Sequence, residues 1–398
     1  VAVPVLTVAT VPEYIAARPH LAAQVDASSL SVVEVGDGNL NLVFIATDAA
    51  GRSITLKQSL PYVRMVGESW PLSQDRILAE GRGYDAAVAY SPDTIPAYFG
   101  LDDDARTIAM EDLSGWTVWR RALNDGRVSP GAAAVIGRHV ARVAFGTSAF
   151  GLTSDALIAA RAGSANPDLC KITEDLVFTH PYQDHPDNAW VPELDDVVLA
   201  LREGELVDHA AALKYTFMTR SEALLHGDLH TGSVFVPNGP SSSAAKIFDL
   251  EFGFYGPVGF DLGAFFGNVL LAQARALVIE RPNEYQEWLA GLVEEAWTAF
   301  ETEFRALWPT RVDGFFGDAL LEQWLTQTWH DAVGFAGLKA IRRIVGLAKA
   351  SDIETLDPSQ HVRAATLVLH TARAWVEGRE LVASPAQLAE RTAAGLGL

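Results

Sequence analysis

The hydrophobic period changes once along this chain, near residue 112, and that change constrains the fold more than any other feature. Before it, short runs alternate with the period of two expected of strands. Ser53–Ser59 sets Ile54, Leu56 and Gln58 against Thr55 and Lys57. Residues 31–34 and 40–46 are two earlier runs, split by Val35-Gly36-Asp37-Gly38-Asn39, and Asp48-Ala49-Ala50-Gly51 is a turn signal before the third. The three runs predict an antiparallel meander. Ser73 is expected to cap a helix running to about Tyr90, and residues 107–110 read as a further strand. Past Glu111-Asp112-Leu113-Ser114-Gly115 the spacing turns helical, over 132–150, 193–218, 285–307, 320–328, 331–349 and 360–377. The lone strand signal in this half is 233–236 with 246–248, joined by the polar linker 237–245. A chain of 398 residues exceeds what one core usually serves. The expectation is an α+β fold of two lobes: a small β-rich lobe over 1–112 and a large, mostly helical lobe over 113–398.

Charge narrows the partners. With 50 acidic and 30 basic side chains the net charge is -20. Nucleic acid and anionic membrane surfaces both need a basic footprint, so neither is expected as the main partner, although an anion held in a local pocket is compatible. The single cysteine, Cys170, cannot close an internal disulfide, which fits a reducing compartment. The uncharged run 262–274 is too short to span a bilayer, and the first residues lack the basic segment of a secretory signal. A cytoplasmic protein is expected.

The 233–248 hairpin carries the first chemistry. Pairing Val236 with Lys246 would set Ser233 opposite Asp249. His226-Gly227-Asp228-Leu229-His230 precedes the hairpin and Glu251 follows it, so three carboxylates and a hydroxyl gather at its mouth. Oxygen ligands without cysteine or paired histidine suit Mg²⁺ rather than zinc. His226 and His230 lack a Glu directly after the first histidine and sit among glycines, which argues against a zinc pair. The spacing matches kinase-type phosphoryl transfer. There a catalytic-loop Asp takes the hydroxyl proton, a residue five further on helps to hold Mg²⁺, and a second Asp past the hairpin holds metal on the phosphates. Asp228, Ser233 and Asp249 stand in that order. Gly36 and Gly38 between two strands suit a loop over phosphates, and equally a hairpin turn. Lys57, one of six lysines, lies mid-strand among apolar neighbours. An unpaired ammonium there is costly, so it needs an anion: nucleotide phosphate, Glu80, or both.

Seven segments carry a family resemblance: Val35-Gly36-Asp37-Gly38-Asn39-Leu40-Asn41, Lys57-Gln58-Ser59-Leu60-Pro61-Tyr62-Val63-Arg64, Gly67-Glu68-Ser69-Trp70-Pro71, Met110-Glu111-Asp112-Leu113, His226-Gly227-Asp228-Leu229-His230-Thr231-Gly232-Ser233, Glu251-Phe252-Gly253-Phe254-Tyr255-Gly256-Pro257 and Ile341-Arg342-Arg343-Ile344-Val345-Gly346. On them the chain resembles the 5-methylthioribose kinases, within the aminoglycoside-phosphotransferase-like branch of the protein-kinase-like folds. The resemblance implies transfer of the ATP γ-phosphate to the 1-hydroxyl of 5-methylthioribose in methionine salvage. It implies ATP and Mg²⁺ as cofactors, a small sugar as substrate and a homodimer. Gly36, Gly38, Asn39 and Lys57 would then meet the nucleotide, and Glu111, Asp112 and Leu113 would hold adenine through their backbone. Asp228 would bind the sugar hydroxyl and act as base, and Asp249 and Glu251, with Ser233, would ligate magnesium. Arg342, Arg343 or both would face substrate or phosphate, and the Trp70 loop would close the sugar site. Two departures stand out: Leu250 lies between the metal-site carboxylates where proline is expected, and the linker 237–245 is long. Ser233 also stands where ordinary kinases have Asn. The alternatives are a kinase of another sugar, an aminoglycoside, choline or homoserine, and a silent nucleotide-binding pseudokinase. Lys57, Asp228 and Asp249 occurring together argue against the last.

On a helix, neighbouring residues point about 100° apart, so Arg342 and Arg343 need not share a job. The segment His180-Pro181-Tyr182-Gln183-Asp184-His185-Pro186-Asp187 reads as a solvated loop.

Overall fold

A computed structural model describes residues 3–36, 40–63, 67–239 and 244–398. Gly38 and Asn39 therefore lie outside the described residues, whereas Gly36 sits in an exposed turn with open space around it. The early alternating runs form β1 (Ser31–Val35), β2 (Asn41–Thr47) and β3 (Ser53–Ser59), followed by β4 (Tyr98–Asp102) and β5 (Thr107–Glu111). They make one antiparallel sheet in the order β1-β2-β3-β5-β4, so the expected meander is present and β3 is the central strand. Alternation then decides which side chain meets which layer. Ile54 and Leu56 join Phe44 and Ala109 beneath Ile15 and Leu21 of the N-terminal segment. The opposite face is covered by α1 (Arg76–Tyr90), through Ile77, Tyr84 and Ala87 packed on Ile108 and Met110. Lys57 pairs with Val43 on one side and Ile108 on the other, far from any sheet edge.

The expected cap is displaced. Helix α1 begins three residues after Ser73, whose hydroxyl accepts from Asp75 N at 3.1 Å. The first turn is anchored instead by Arg76, whose guanidinium donates to the carbonyls of Leu60, Ser73 and Leu40.

The remainder is mostly helical, around one large core. At its centre runs α2 (Gly259–Val278), buried on nearly every side. A helix apolar all round has no stripe to read, which is why 262–274 registered only as an apolar run. It packs along α3 (Asp318–Val345), one continuous helix where two were expected. Asp331, where the second of them was expected to begin, does not interrupt it. Its carboxylate accepts from Gln327 at 2.9 Å and pairs with Arg220 at 2.6 Å. Conversely, the single helix expected over 193–218 is two, Asp195–Ala200 and Glu205–Thr219, because Gly204 turns the chain at φ +75°.

The hairpin register also differs from expectation. Strands β6 (Trp116–Val118), β7 (Val234–Pro237) and β8 (Lys246–Ile247) form a small sheet in the order β8-β7-β6. Phe235, not Val236, faces Lys246, and Val234 faces Ile247. That is a slip of one residue, which exchanges the two faces. With only two residues in β8 there is little ladder to enforce a register, and Asp249 leaves it altogether in a left-handed turn at φ +69°. Ser233 N–H and C=O are used locally, by His230 O and Phe248 N. Among the described residues, no helix is long and apolar enough to cross a membrane.

Candidate active site

Two charged clusters are held against each other by the segments 226–233 and 248–252. Gly227 makes the close approach possible: its φ is +84°, and a Cβ there would lie 2.1 Å from Phe252 O. The backbone N–H groups of His226 and Gly227 donate to the two oxygens of buried Asp261, at 2.7 and 2.9 Å. His226 Nε2 meets Phe248 O at 2.9 Å. Asp261, on α2, thus fixes the loop that carries Asp228.

The first cluster joins the sheet to the post-hairpin turn. Lys57 Nζ lies 2.8 and 3.0 Å from the two oxygens of Glu80 on α1, and it also contacts Asp249 Oδ1. Burial disfavours the ammonium, but Asp249, Glu80 and Glu251 outweigh it and hold its pKa well above the usual lysine range. Burial pushes fully enclosed Glu80 up to about 8 despite Lys57. Of the anions expected for this lysine, Glu80 is present by direct pairing, and Asp249 at the cleft side is a second partner that was not expected. Glu251 is gripped through Oε2, by Asn41 Nδ2 at 2.8 Å and Arg76 Nε at 3.3 Å. Carboxylate oxygens of Glu80, Asp249 and Glu251 lie within 4.8 Å of one another.

The second cluster surrounds Asp228. Lys339 Nζ is 2.7 Å from Oδ1 and Arg342 Nη2 is 3.5 Å from the same atom, while Arg343 Nη2 is 3.9 Å from Oδ2. All three cations come from the last turns of α3, and all are buried. His230 Nε2 stands 3.4 Å from Oδ2. Its Nδ1 accepts from Gly232 N at 3.0 Å, so the ring proton belongs on Nε2, facing Asp228. Burial opposes the charge on Asp228, yet Lys339, His230 and the two arginines hold the carboxyl well below its usual range. Lys339, over the Phe260 ring at 4.5 Å, is lowered to about 8 by burial, with Asp228 pulling the other way.

The two arginines do divide their work. Arg342 approaches Asp228 more closely, whereas Arg343 also donates to Ala348 O at 3.2 Å and so ties the end of α3. The Ser233 hydroxyl is engaged inside the loop, 3.2 Å from Asp228 O and 3.3 Å from His230 Nδ1. Trp70 lies in the strand Gly67–Pro71 and packs half-buried with Leu72, Leu169 and Phe252, next to Glu251. Glu111 N donates to Ala97 O, and Leu113 O accepts from Trp116 N. Asp112 accepts from Ser53 Oγ at 2.7 Å and from Ser114 N.

Lys339, Arg76 and Asp261 were not singled out from the sequence. Lys339 had a legible signal: it precedes Arg342 and Arg343 by three and four residues, which places all three on one helical flank. Asp261 had none, because its partners are backbone N–H groups 34 and 35 residues away, and Arg76 had none, because its carboxylate partner Glu251 is distant in the chain.

No family model matches the chain. It is 39% identical over 368 residues to a methylthioribose kinase of Geobacillus sp. (strain WCH70), covering 91% of this chain and 90% of that one. It is 40% identical over 354 residues to one of Bacillus cereus (strain B4264), covering 88% and 86%. A methylthioribose kinase of Yersinia pseudotuberculosis serotype IB (strain PB1/+) is 40% identical over 338 residues, covering 83% and 82%. Among solved structures, a microcompartment-associated aminopropanol kinase superposes at a TM-score of 0.47 with 13% identity, covering 92% of this chain and 99% of that one. The amicoumacin kinase hAmiN superposes at 0.40 with 16% identity, covering 89% of each. Near 40% identity over most of its length, the chain belongs to the methylthioribose kinase family.

Proposed function

We propose that this chain transfers the γ-phosphoryl group of ATP to the 1-hydroxyl of 5-methylthioribose, in methionine salvage. The observation that carries the reading is the collar around Asp228: three buried cations against one carboxylate. A site with that surplus repels the cationic acceptors, such as choline and aminoglycosides, for which facing acids would be needed. It favours a neutral polyol that becomes anionic on phosphorylation.

In this reading the acceptor hydroxyl sits against Asp228, which orients it and receives its proton as the new P–O bond forms. The bond between the γ-phosphorus and the β–γ bridging oxygen breaks in line. Asp228 is a weak base, held ionised by its collar, and suits a reaction that needs positioning more than deprotonation. Arg342 and Lys339 then face the transferred group, and Lys57 the nucleotide phosphates. The oxygens of Asp249 and Glu251 fit a hard dication such as Mg²⁺, which would neutralise phosphate charge there. Ser233 would be a third oxygen ligand through the lone pairs left free when its hydroxyl donates to Asp228 O. Residues 1–112 would cover the nucleotide and 113–398 carry the catalytic and sugar sites, with Trp70 bordering the latter. A cytoplasmic homodimer belongs to the same reading.

The test is ADP release with Mg-ATP over a panel of 5-methylthioribose, 5-deoxyribose, ribose, kanamycin, choline and homoserine. Turnover led by 5-methylthioribose is expected. Turnover led by kanamycin or choline would contradict the argument from the collar.

A further inference from the structure

Asp228 does not offer its two oxygens alike. Oδ1 is taken, because Lys339 Nζ and Arg342 Nη2 donate to it at 2.7 and 3.5 Å. Among the described residues nothing donates a hydrogen bond to Oδ2: Arg343 Nη2 comes only to 3.9 Å and His230 Nε2 to 3.4 Å. In the phosphoryl-transfer reading above, on which this inference rests, the proton of the acceptor hydroxyl goes to Oδ2, the oxygen with free lone pairs.

His230 stands beside that oxygen with a donor of its own. Its Nδ1 accepts from Gly232 N at 3.0 Å. Burial keeps its pKa well below the usual histidine range, against the pull of Asp228, so the ring is neutral and its single proton is on Nε2. Gly232 lets the ring lie against its own loop: a Cβ there would come 2.7 Å from His230 Cε1. The N–H is therefore fixed in direction, yet among the described residues no group accepts from it. The side chains of His230 and Asp228 remain 15% and 16% exposed, so the pair is reachable from solvent.

We propose that His230 is a specificity residue of the sugar site, donating from Nε2 to the hydroxyl next to the one that is phosphorylated. An acceptor and a donor 3.4 Å apart match two hydroxyls on neighbouring ring carbons. One gives its proton to Asp228 Oδ2, and the oxygen of the other receives the His230 N–H. The 1-carbon of a cyclic aldose has one carbon neighbour in the ring, so the second hydroxyl is the 2-hydroxyl. A sugar lacking it leaves the N–H unpaired on binding, which is how such a pair discriminates.

The experiment compares kcat/KM for 5-methylthioribose and its 2-deoxy analogue in the wild type, His230→Asn and His230→Gln. The asparagine carbonyl can replace Nδ1 as acceptor for Gly232 N while removing the Nε2 donor, whereas glutamine places an amide N–H near the position of Nε2. The wild type should prefer the hydroxylated sugar about 10- to 100-fold. His230→Asn should bring the two sugars to within about threefold, by slowing the hydroxylated one alone, and His230→Gln should restore part of the preference. Because the ratio compares two substrates on one preparation, a loss of folded enzyme does not move it. Equal slowing of both sugars in His230→Asn, or a wild type indifferent to the 2-hydroxyl, would overturn this proposal alone. A wild type silent on both sugars would overturn the phosphoryl-transfer reading and this proposal with it.

Discussion

Lys339→Met separates stability from catalysis at this site. Taken pairwise at an effective dielectric of 20, the attractions of Asp228 to Lys339, Arg342 and Arg343 at 2.7, 3.5 and 3.9 Å are about 6, 5 and 4 kcal/mol before desolvation. Lys339 supplies the largest share. Its own pKa nevertheless falls from 10.5 to about 8, so charging it inside the fold costs about 3 kcal/mol more than in water. Burial and the neighbouring arginines outweigh the attraction of Asp228. Methionine keeps the length and the contact with Phe260 while removing the charge, and Arg342 and Arg343 still face the carboxylate. The variant should therefore unfold in urea within about 1 kcal/mol of the parent, or above it. Without the 2.7 Å bond to Oδ1 the carboxylate is less well aimed, and kcat in the ADP-release assay should fall about 10- to 100-fold. A loss of more than about 3 kcal/mol in stability, or an undiminished kcat, would refute this account.

Asp228→Asn removes the carboxylate charge that Lys339, Arg342 and Arg343 share. We expect kcat to fall about 10²–10⁴-fold and stability by about 3–5 kcal/mol, with sulfate restoring much of the melting temperature; a melting curve indifferent to sulfate would count against the buried surplus. In Gly227→Ala, the φ of +84° and the 2.1 Å approach to Phe252 O should cost at least about 3 kcal/mol, and a parent-like urea midpoint would show that the loop relaxes freely. His139 is fully enclosed with Thr94 Oγ1 at 2.7 Å, and burial lowers its pKa from 6.5 to about 3. The unfolded chain then takes up the proton first as pH falls from 6.5 towards 3. Stability should drop across that window at up to about 1.4 kcal/mol per pH unit. His139→Gln should lose that part of the slope, and an identical acid profile would place the sensitivity elsewhere.

Four strands of the sheet were legible as short runs in the sequence, whereas β4, half-buried along its whole length, has no alternation to read. Ser53–Ser59 was readable to the residue, and the cost of an unpaired ammonium led from Lys57 to Glu80. Spacing alone pointed to Asp228 and Asp249, the two carboxylates that buried lysines meet. What stayed hidden lacked a local signature. Helix α2 has no polar face, and the 233–248 hairpin is too short for its pattern to decide between registers one residue apart. The break at Gly204 turns on a single positive φ. The cationic collar needed three dimensions, since Asp228 and Lys339 stand 111 residues apart in the chain.

The Lys57–Asp249 contact has a consequence for how the proposed nucleotide would enter. The cleft carries its own counterions: the lysine already has a carboxylate partner, and the carboxylate of Asp249 already has a cation. In the proposed function, a metal-bound triphosphate would then arrive by a double exchange, with Lys57 giving up a carboxylate for phosphate and Asp249 giving up an ammonium for the metal. Charges swap partners rather than being neutralised for the first time, so few mobile ions are released. Affinity for the metal–nucleotide complex should accordingly change little with ionic strength, although the chain as a whole carries a net charge of -20.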